Sequence, residues 1–199
     1  MRLVLASGSP RRAEILTALG VEHTIAEPDV EEISEGDPEE VVVENARRKA
    51  RAGLAEAADG PLVLGADTEV VLDGRVLGQP ADEREARSSL EALSAQTHEV
   101  LTGVVLATSD GERSGVARSE VTFRDLDEGT LRLYLDSGEW QGRAGAYAIQ
   151  GLGSILIARL EGDFSNVVGL PVPLLLKLAP ELRANRAAAD ARASERDDR

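Results

Sequence analysis

The chain has 199 residues, 42% of them hydrophobic, and carries 36 acidic against 22 basic side chains for a formal charge of −14; that is enough for one domain with a sizeable core, and too acidic for a broad basic surface that would track nucleic acid. Zero cysteines remove disulfides, thiolate catalysis and cysteine-ligated zinc, and two histidines, His23 and His98, are too few for a histidine metal cage. No apolar run approaches the roughly 18 residues of a membrane span, and Met1–Ala6 leads into Gly and Pro instead of a signal-peptide core, so a cytoplasmic protein without a membrane partner is expected.

Arg2–Ala6 reads as a short strand, Ser7-Gly8-Ser9-Pro10 as a tight loop, and the amphipathic stretch up to Gly20 as a helix, with Ser9 as N-cap and Pro10 at the first helical position. Glu27–Glu40 holds eight acidic residues and two prolines with no apolar period, which predicts a loop or flap. Asp37-Pro38 opens a helix to about Ala58. Pro61–Ala66 reads as a buried strand, and Val70–Leu72 with Arg75–Leu77 as a hairpin across Asp73-Gly74. Asp82 with Glu85 resembles a capping box and starts a helix to about Ser94. Val100–Ala107 and Ala117–Phe123 read as paired strands around a polar turn at Ser109–Glu112, followed by a helix from about Asp127 to Ser137. A glycine-rich piece, Gly138–Gly153, precedes a strand at Ile155–Leu160, a turn at Glu161-Gly162-Asp163 and a last helix after Pro171. Residues 183–199 collapse to Ala, Arg, Asp and Glu, which predicts a frayed or disordered tail beyond a domain of residues 1–182. The alternation of strands, helices and hairpins argues for an α/β fold with a mixed sheet.

Four segments carry candidate chemistry. The loop Ser7–Pro10 leads from a strand into a helix N-terminus, where free N–H groups and the dipole favour phosphate. Arg11 and Arg12 both fall toward the apolar side of that helix and need an anion, either a ligand phosphate or the acidic segment after Glu27. Lys49 shares a helical face with Val42, Ala46 and Gly53, and it is one of only two lysines in the chain, which favours a cleft-facing ammonium over a snorkelling one. Gly65-Ala66-Asp67-Thr68 sets an acid at the carboxyl end of an apolar strand, where α/β sheets bind ligands and where it can hold a cation, accept a proton or simply cap a turn. Glu31 and Glu32 are read as solvated charge or metal ligands. Gly145–Gly151 lets backbone approach a flat ligand, and Gln150 offers a donor and an acceptor to a base edge; Tyr147 can stack or fill core, and Trp140 is assigned to the core. Phosphate-loop, dinucleotide-binding, nucleophile-elbow and zinc-protease motifs are all missing.

Together, Leu5-Ala6-Ser7-Gly8-Ser9-Pro10-Arg11-Arg12, Glu44-Asn45-Ala46-x-x-Lys49-Ala50, Gly65-Ala66-Asp67-Thr68, Ala144-Gly145-Ala146-Tyr147-x-Ile149-Gln150-Gly151 and Val168-Gly169-Leu170-Pro171 resemble, in order, the Maf family of septum-formation inhibitors and nucleoside triphosphate pyrophosphatases. The resemblance implies an elongated mixed β-sheet with flanking helices, two lobes around a deep cleft, and Mg²⁺- or Mn²⁺-dependent cleavage of the α–β phosphoanhydride of a nucleoside triphosphate. It implies Asp67 as proton acceptor or metal-linked acid, Glu32 as a second metal ligand, Lys49 as a catalytic cation, Ser7, Arg11, Arg12 and Arg143 on the substrate phosphates, and Thr68 and Gln150 in base selection. Arg11 and Gln150 stand where the 7-methyl-GTP subfamily tends to carry tryptophan and glutamate, so the dTTP/UTP subfamily is the better match. The chain departs from the pattern at Gln79, where the family usually has lysine, and at Gly142-Arg143, where it usually has Asp-Lys. The competing readings are a nucleotide-binding regulator of cell division without turnover, and a pyrophosphatase for modified pyrimidine nucleotides. A homodimer is implied by the resemblance alone.

Overall fold

A computed structural model describes residues 3–57 and 60–183; the tail reading, from residue 184 onward, lies outside the described residues. The chain runs through β1 (Leu3–Ala6), α1 (Pro10–Ala18), β2 (His23–Ala26), α2 (Pro38–Glu56), β3 (Leu62–Leu72), β4 (Arg75–Leu77), α3 (Glu83–Leu93), β5 (Thr97–Thr108), β6 (Gly111–Phe123), α4 (Glu128–Ser137), β7 (Ile157–Glu161), α5 (Phe164–Val168) and α6 (Val172–Leu178). One seven-stranded sheet has the order β2-β1-β3-β5-β6-β7, with β4 also paired to β3. β1 is parallel to β2 and β3, and every other pairing is antiparallel. The expected elongated mixed sheet with flanking helices is therefore what the chain forms.

Helix starts follow side-chain chemistry. Asp37 accepts hydrogen bonds from the Glu39 and Glu40 N–H groups at 3.0 and 3.4 Å, Asp82 from Glu85 N at 2.8 Å, and Asp127 from Thr130 N at 2.7 Å. Glu85 reaches back to the Ala81 N–H rather than to that of Asp82, one residue short of a true capping box. Ser9 occupies the N-cap of α1 without a side-chain cap bond; its own N–H goes to Ser7 Oγ.

Two large apolar clusters form, with three smaller ones around α2 and β3. One gathers Leu3, Leu5, Leu64, Val104 and Leu106 under α1 and α6, and the other gathers Leu90, Leu93, Phe123, Tyr134, Trp140 and Tyr147 between α3, α4 and the second half of the sheet. The site lies where these two halves meet. On the opposite face α2 lies directly on the strands: a Cβ on Gly65 would stand 2.1 Å from the Ala46 carbonyl oxygen, and one on Gly103 2.3 Å from that of Val42. Only glycine permits that approach.

Three local expectations are corrected. Asp67 is not at the end of a strand: β3 runs unbroken for 11 residues through it, because β5 pairs with β3 continuously from Val63 to Val71 and carries the backbone across the polar middle. Instead, on the other edge of β3, β1 stops at Gly65 and β4 begins at Val70. Residues 66–69 face that break. The strand expected at Ile155–Leu160 starts only at Ile157, after a 3₁₀ segment at Gly151–Leu156. The short β2 and α5 were not expected, since four and five residues give too little periodicity to read.

Candidate active site

The gap between β1 and β4 along the edge of β3 opens into two adjoining hollows of about 160 and 540 Å³ that share Arg11, Arg12, Glu32, Lys49, Gln79 and Arg143. The outer one follows Ser7–Arg12 at the start of α1, and the inner one continues past Asp67, Thr68 and Glu69 to Tyr147–Gln150. Ser7, Arg11, Arg12, Glu32, Lys49, Asp67, Thr68, Arg143 and Gln150 therefore line one cleft, while Glu31 and Trp140 stand outside its lining. Because side chains alternate along a strand, Asp67 and Glu69 point to the α2 face while Thr68 points to the other.

On the α2 face, Lys49 Nζ stands 2.7 Å from Asp67 Oδ1 and 2.7 Å from Glu32 Oε1. Asn45, one turn earlier on α2 and fully buried, donates to Asp67 Oδ2 at 3.1 Å. Glu69 lies beside this group with its Oε2 buried and unpartnered. Burial, reinforced by the charges of Asp67 and Glu32, pushes its carboxyl up to about 8.

On the other face, the Arg12 guanidinium, 8% exposed, donates to Gly169 O at 2.8 Å, Ser7 Oγ at 2.9 Å and Thr68 Oγ1 at 3.1 Å. Thr68 Oγ1 also lies 3.0 Å from Thr102 Oγ1. Arg11 Nε donates to Val168 O at 3.4 Å, and the buried Nε of Arg143 has no partner. Among the described residues Arg11, Arg12 and Arg143 form no ion pair, while the half-buried Arg47 and Arg87 and the exposed Arg118 do. The acidic segment thus sends Glu32 to Lys49 and not to the arginines of α1, which remain uncompensated. Burial lowers the pKa of both Arg12 and Arg143, with Asp67 and Glu32 opposing the shift at Arg12. Desolvated cations without carboxylates form a receptor for an anion.

The far end is built from backbone. Glu139 accepts hydrogen bonds from the Leu152 and Gly153 N–H groups, each at 3.1 Å, and the Tyr134 hydroxyl accepts one from Ala148 N at 3.1 Å. Gly145 N donates to Gly78 O at 3.1 Å, which ties this segment to the loop bearing Gln79. Gln150 is exposed at the rim. Tyr147 is buried, with its hydroxyl 2.8 Å from His98 Nε2, so it fills core while one side lines the cleft. Trp140 is buried as expected, with Nε1 donating to Leu135 O.

A chain-wide match to the family model described as Maf-like protein covers residues 2–182. The chain belongs to the Maf family. Among its relatives, a Deinococcus radiodurans protein named dTTP/UTP pyrophosphatase is 46% identical over 178 residues, 89% of this Maf chain and 91% of that protein. A Xylella fastidiosa protein named nucleoside triphosphate pyrophosphatase is 46% identical over 175 residues, 85% and 93% of the respective lengths. In fold the chain also resembles a HAM1 protein of Coxiella burnetii, with a TM-score of 0.51 at 15% identity over 98% of this chain and 99% of that one.

The donor set suits the metal that the family reading implies. Two carboxylate oxygens from distant segments converge on one cation, the Lys49 ammonium, and the orphaned Glu69 oxygen is nearby; such all-oxygen sites favour Mg²⁺ or Mn²⁺. Among the described residues no three His, Cys, Asp or Glu stand together as a cage, so such an ion would share its shell with substrate phosphate and water, as Mg²⁺ commonly does. Two contributors escaped the sequence reading. Asn45 precedes Lys49 by one helical turn, but spacing alone gives it no role; Glu69 falls outside the site when Pro61–Ala66 and Val70–Leu72 are taken as separate strands, whereas a continuous strand places it on the face of Asp67. Among the described residues no helix is long and apolar enough to cross a membrane.

Proposed function

We propose that this Maf protein hydrolyses nucleoside triphosphates, dTTP and UTP foremost, between the α- and β-phosphorus, releasing nucleoside monophosphate and pyrophosphate. The carrying observation is the set of unpaired arginines, Arg11, Arg12 and Arg143, around a cleft that also holds Asp67 and Lys49. In a chain of net charge −14, cations left free of carboxylates indicate a polyanionic ligand. The names of the relatives, Gln150 in place of glutamate, and an amide able to meet the donor-acceptor edge of a pyrimidine support the base preference.

In this reading Ser7, Arg11, Arg12 and Arg143 hold the phosphates at the start of α1. Thr68, its hydroxyl already engaged by Arg12 and Thr102, serves by steadying Arg12. Lys49 fixes one oxygen of Asp67 and Asn45 the other, and Asp67 takes the proton from the water that attacks phosphorus. Glu32 and Asp67 would hold the Mg²⁺ or Mn²⁺, which supplies neutralisation of phosphate charge when bound. Gln150 selects the base, positioned by the segment that Glu139 and Tyr134 support. Gln79 contributes a neutral amide where the family pattern has a cation, leaving Arg143 to face the leaving pyrophosphate. We assign residues 1–182 as the catalytic unit, working in the cytoplasm where nucleotides are.

Purified protein assayed against nucleoside triphosphates with Mg²⁺ or Mn²⁺ should release pyrophosphate, not single phosphate, fastest with dTTP and UTP. Asp67→Asn should lower kcat by about a hundredfold or more. Equal rates for Asp67→Asn and wild type would refute the role of Asp67, and tight dTTP binding without any turnover would favour the regulator reading.

A further inference from the structure

The acidic segment between β2 and α2 has no secondary structure of its own, yet Glu32 from it arrives within 2.7 Å of the Lys49 ammonium. Something must hold it there, because an unanchored loop would spread a charged side chain over many positions. Asn45 does so. Its Oδ1 accepts the Ile33 N–H at 2.8 Å, and its Nδ2 donates to the Ile33 carbonyl at 3.0 Å and to Asp67 Oδ2 at 3.1 Å. The amide thus pairs with Ile33 as a neighbouring strand would, and spends its remaining N–H on Asp67.

Only one orientation of the amide meets all three demands, since Ile33 supplies one donor and one acceptor and a carboxylate only accepts. Arg48, three residues on, donates to the Glu31 carbonyl at 2.7 Å. Glu32 is therefore bracketed: the residue before it is tied to Arg48 and the residue after it to Asn45. Simple satisfaction of a buried amide would require no simultaneous link to Asp67 and to the residue that follows Glu32.

We infer that Asn45 is a positioning residue that registers Glu32 against Asp67, so that two carboxylates from segments far apart in sequence converge on one cation. The inference rests on the reading of Glu32 and Asp67 given under Proposed function. An aspartate or alanine at this position frees the acidic segment and releases one oxygen of Asp67, while the arginines and Gln150, which hold substrate, stay in place.

The test uses Asn45→Ala and Ile33→Pro. The proline removes the N–H that Asn45 accepts, in a segment outside the core, and it also fixes the backbone at 33 and narrows that of Glu32, so its effect is read beside that of Asn45→Ala. Residues supporting metal-binding side chains typically matter about 10- to 100-fold, so each folded variant should lose about tenfold in kcat for dTTP with KM changed less than about threefold. In Asn45→Ala, amide exchange at Ile33 should also accelerate while exchange in β3 and β5 stays at the wild-type level. A folded variant with wild-type kcat overturns the inference, as does a loss spread equally over kcat, KM and core exchange, the mark of a purely structural residue. Should Asn45→Ala fail to fold, Ile33→Pro decides on the same kinetic criteria. Should wild type release no pyrophosphate from any nucleotide, the functional reading fails by itself, and unchanged Ile33 exchange in Asn45→Ala would then overturn the clamp.

Discussion

The two ends of the cleft are held in opposite ways. Where the acids and cations gather, side chains anchored on α1, α2 and β3 hold one another and the loops beside them: Lys49 bridges Glu32 and Asp67, Asn45 grips Asp67, and Arg12 joins Ser7, Thr68 and the Gly169 carbonyl. At the far end, main-chain N–H groups of residues 148–153 are held from behind by Tyr134 and Glu139, and Gln150 is left free at the rim. Reacting groups need fixed geometry, for which strands and helices serve better than loops. A base-reading segment carried on backbone hydrogen bonds is free to change its outward side chains without disturbing the acids. If this division holds, damage at the first end should strike turnover, and damage at the second should strike selectivity or stability.

The largest effect is expected from Lys49→Met, which leaves Glu32 and Asp67 facing each other without their shared cation; pyrophosphate release from dTTP should fall by about a hundredfold or more. His98 behind Tyr147 comes next. Burial lowers its pKa from 6.5 to about 4, so the unfolded chain binds a proton that the native chain refuses. Its contribution to stability is present above pH 6.5 and is lost as pH falls toward 4; melting curves should show a falling Tm across that window, and His98→Gln should flatten it. Gln150→Ala should reduce the preference for dTTP over dCTP by about tenfold, at unchanged Tm, because its side chain is exposed and its loss deletes only a base contact. A pH dependence of the opposite sign is expected at Glu69. Its native carboxyl, near 8 against 4.5, keeps a proton that the unfolded chain gives up, so stability drains as pH rises from 4.5 to 8. Glu69→Gln should therefore be the more heat-stable protein at pH 8 and no more stable than wild type at pH 4.

Much of this division was legible before any coordinates. Pro10 and the small residues before it mark the turn into α1, and Asp37 and Asp82 mark helix starts, because these are local preferences that tertiary contacts rarely reverse. The glycine-rich base-reading segment was likewise visible as one piece. Partnership was harder. The sequence offered the acidic segment two sets of cations, Arg11 and Arg12 or Lys49, and helical periodicity cannot show that Arg12 would turn to Ser7 and Thr68. The continuity of β3 was obscured because Asp67 and Glu69 interrupt its apolar pattern, and only the facing β5 keeps that stretch in the sheet. Asn45 was unreadable for a related reason: its partners are the backbone of Ile33 and the side chain of Asp67, and neither leaves a mark on the spacing within α2.

In the proposed reaction the α-phosphorus is where the two ends meet, between the arginines assigned to the phosphates and the segment assigned to the base. A single turnover of dTTP in ¹⁸O-labelled water, with products weighed by mass spectrometry, tests whether water attacks there. One labelled oxygen in the thymidine monophosphate and none in the pyrophosphate is the predicted result. Label in pyrophosphate, or in single phosphate, would contradict it.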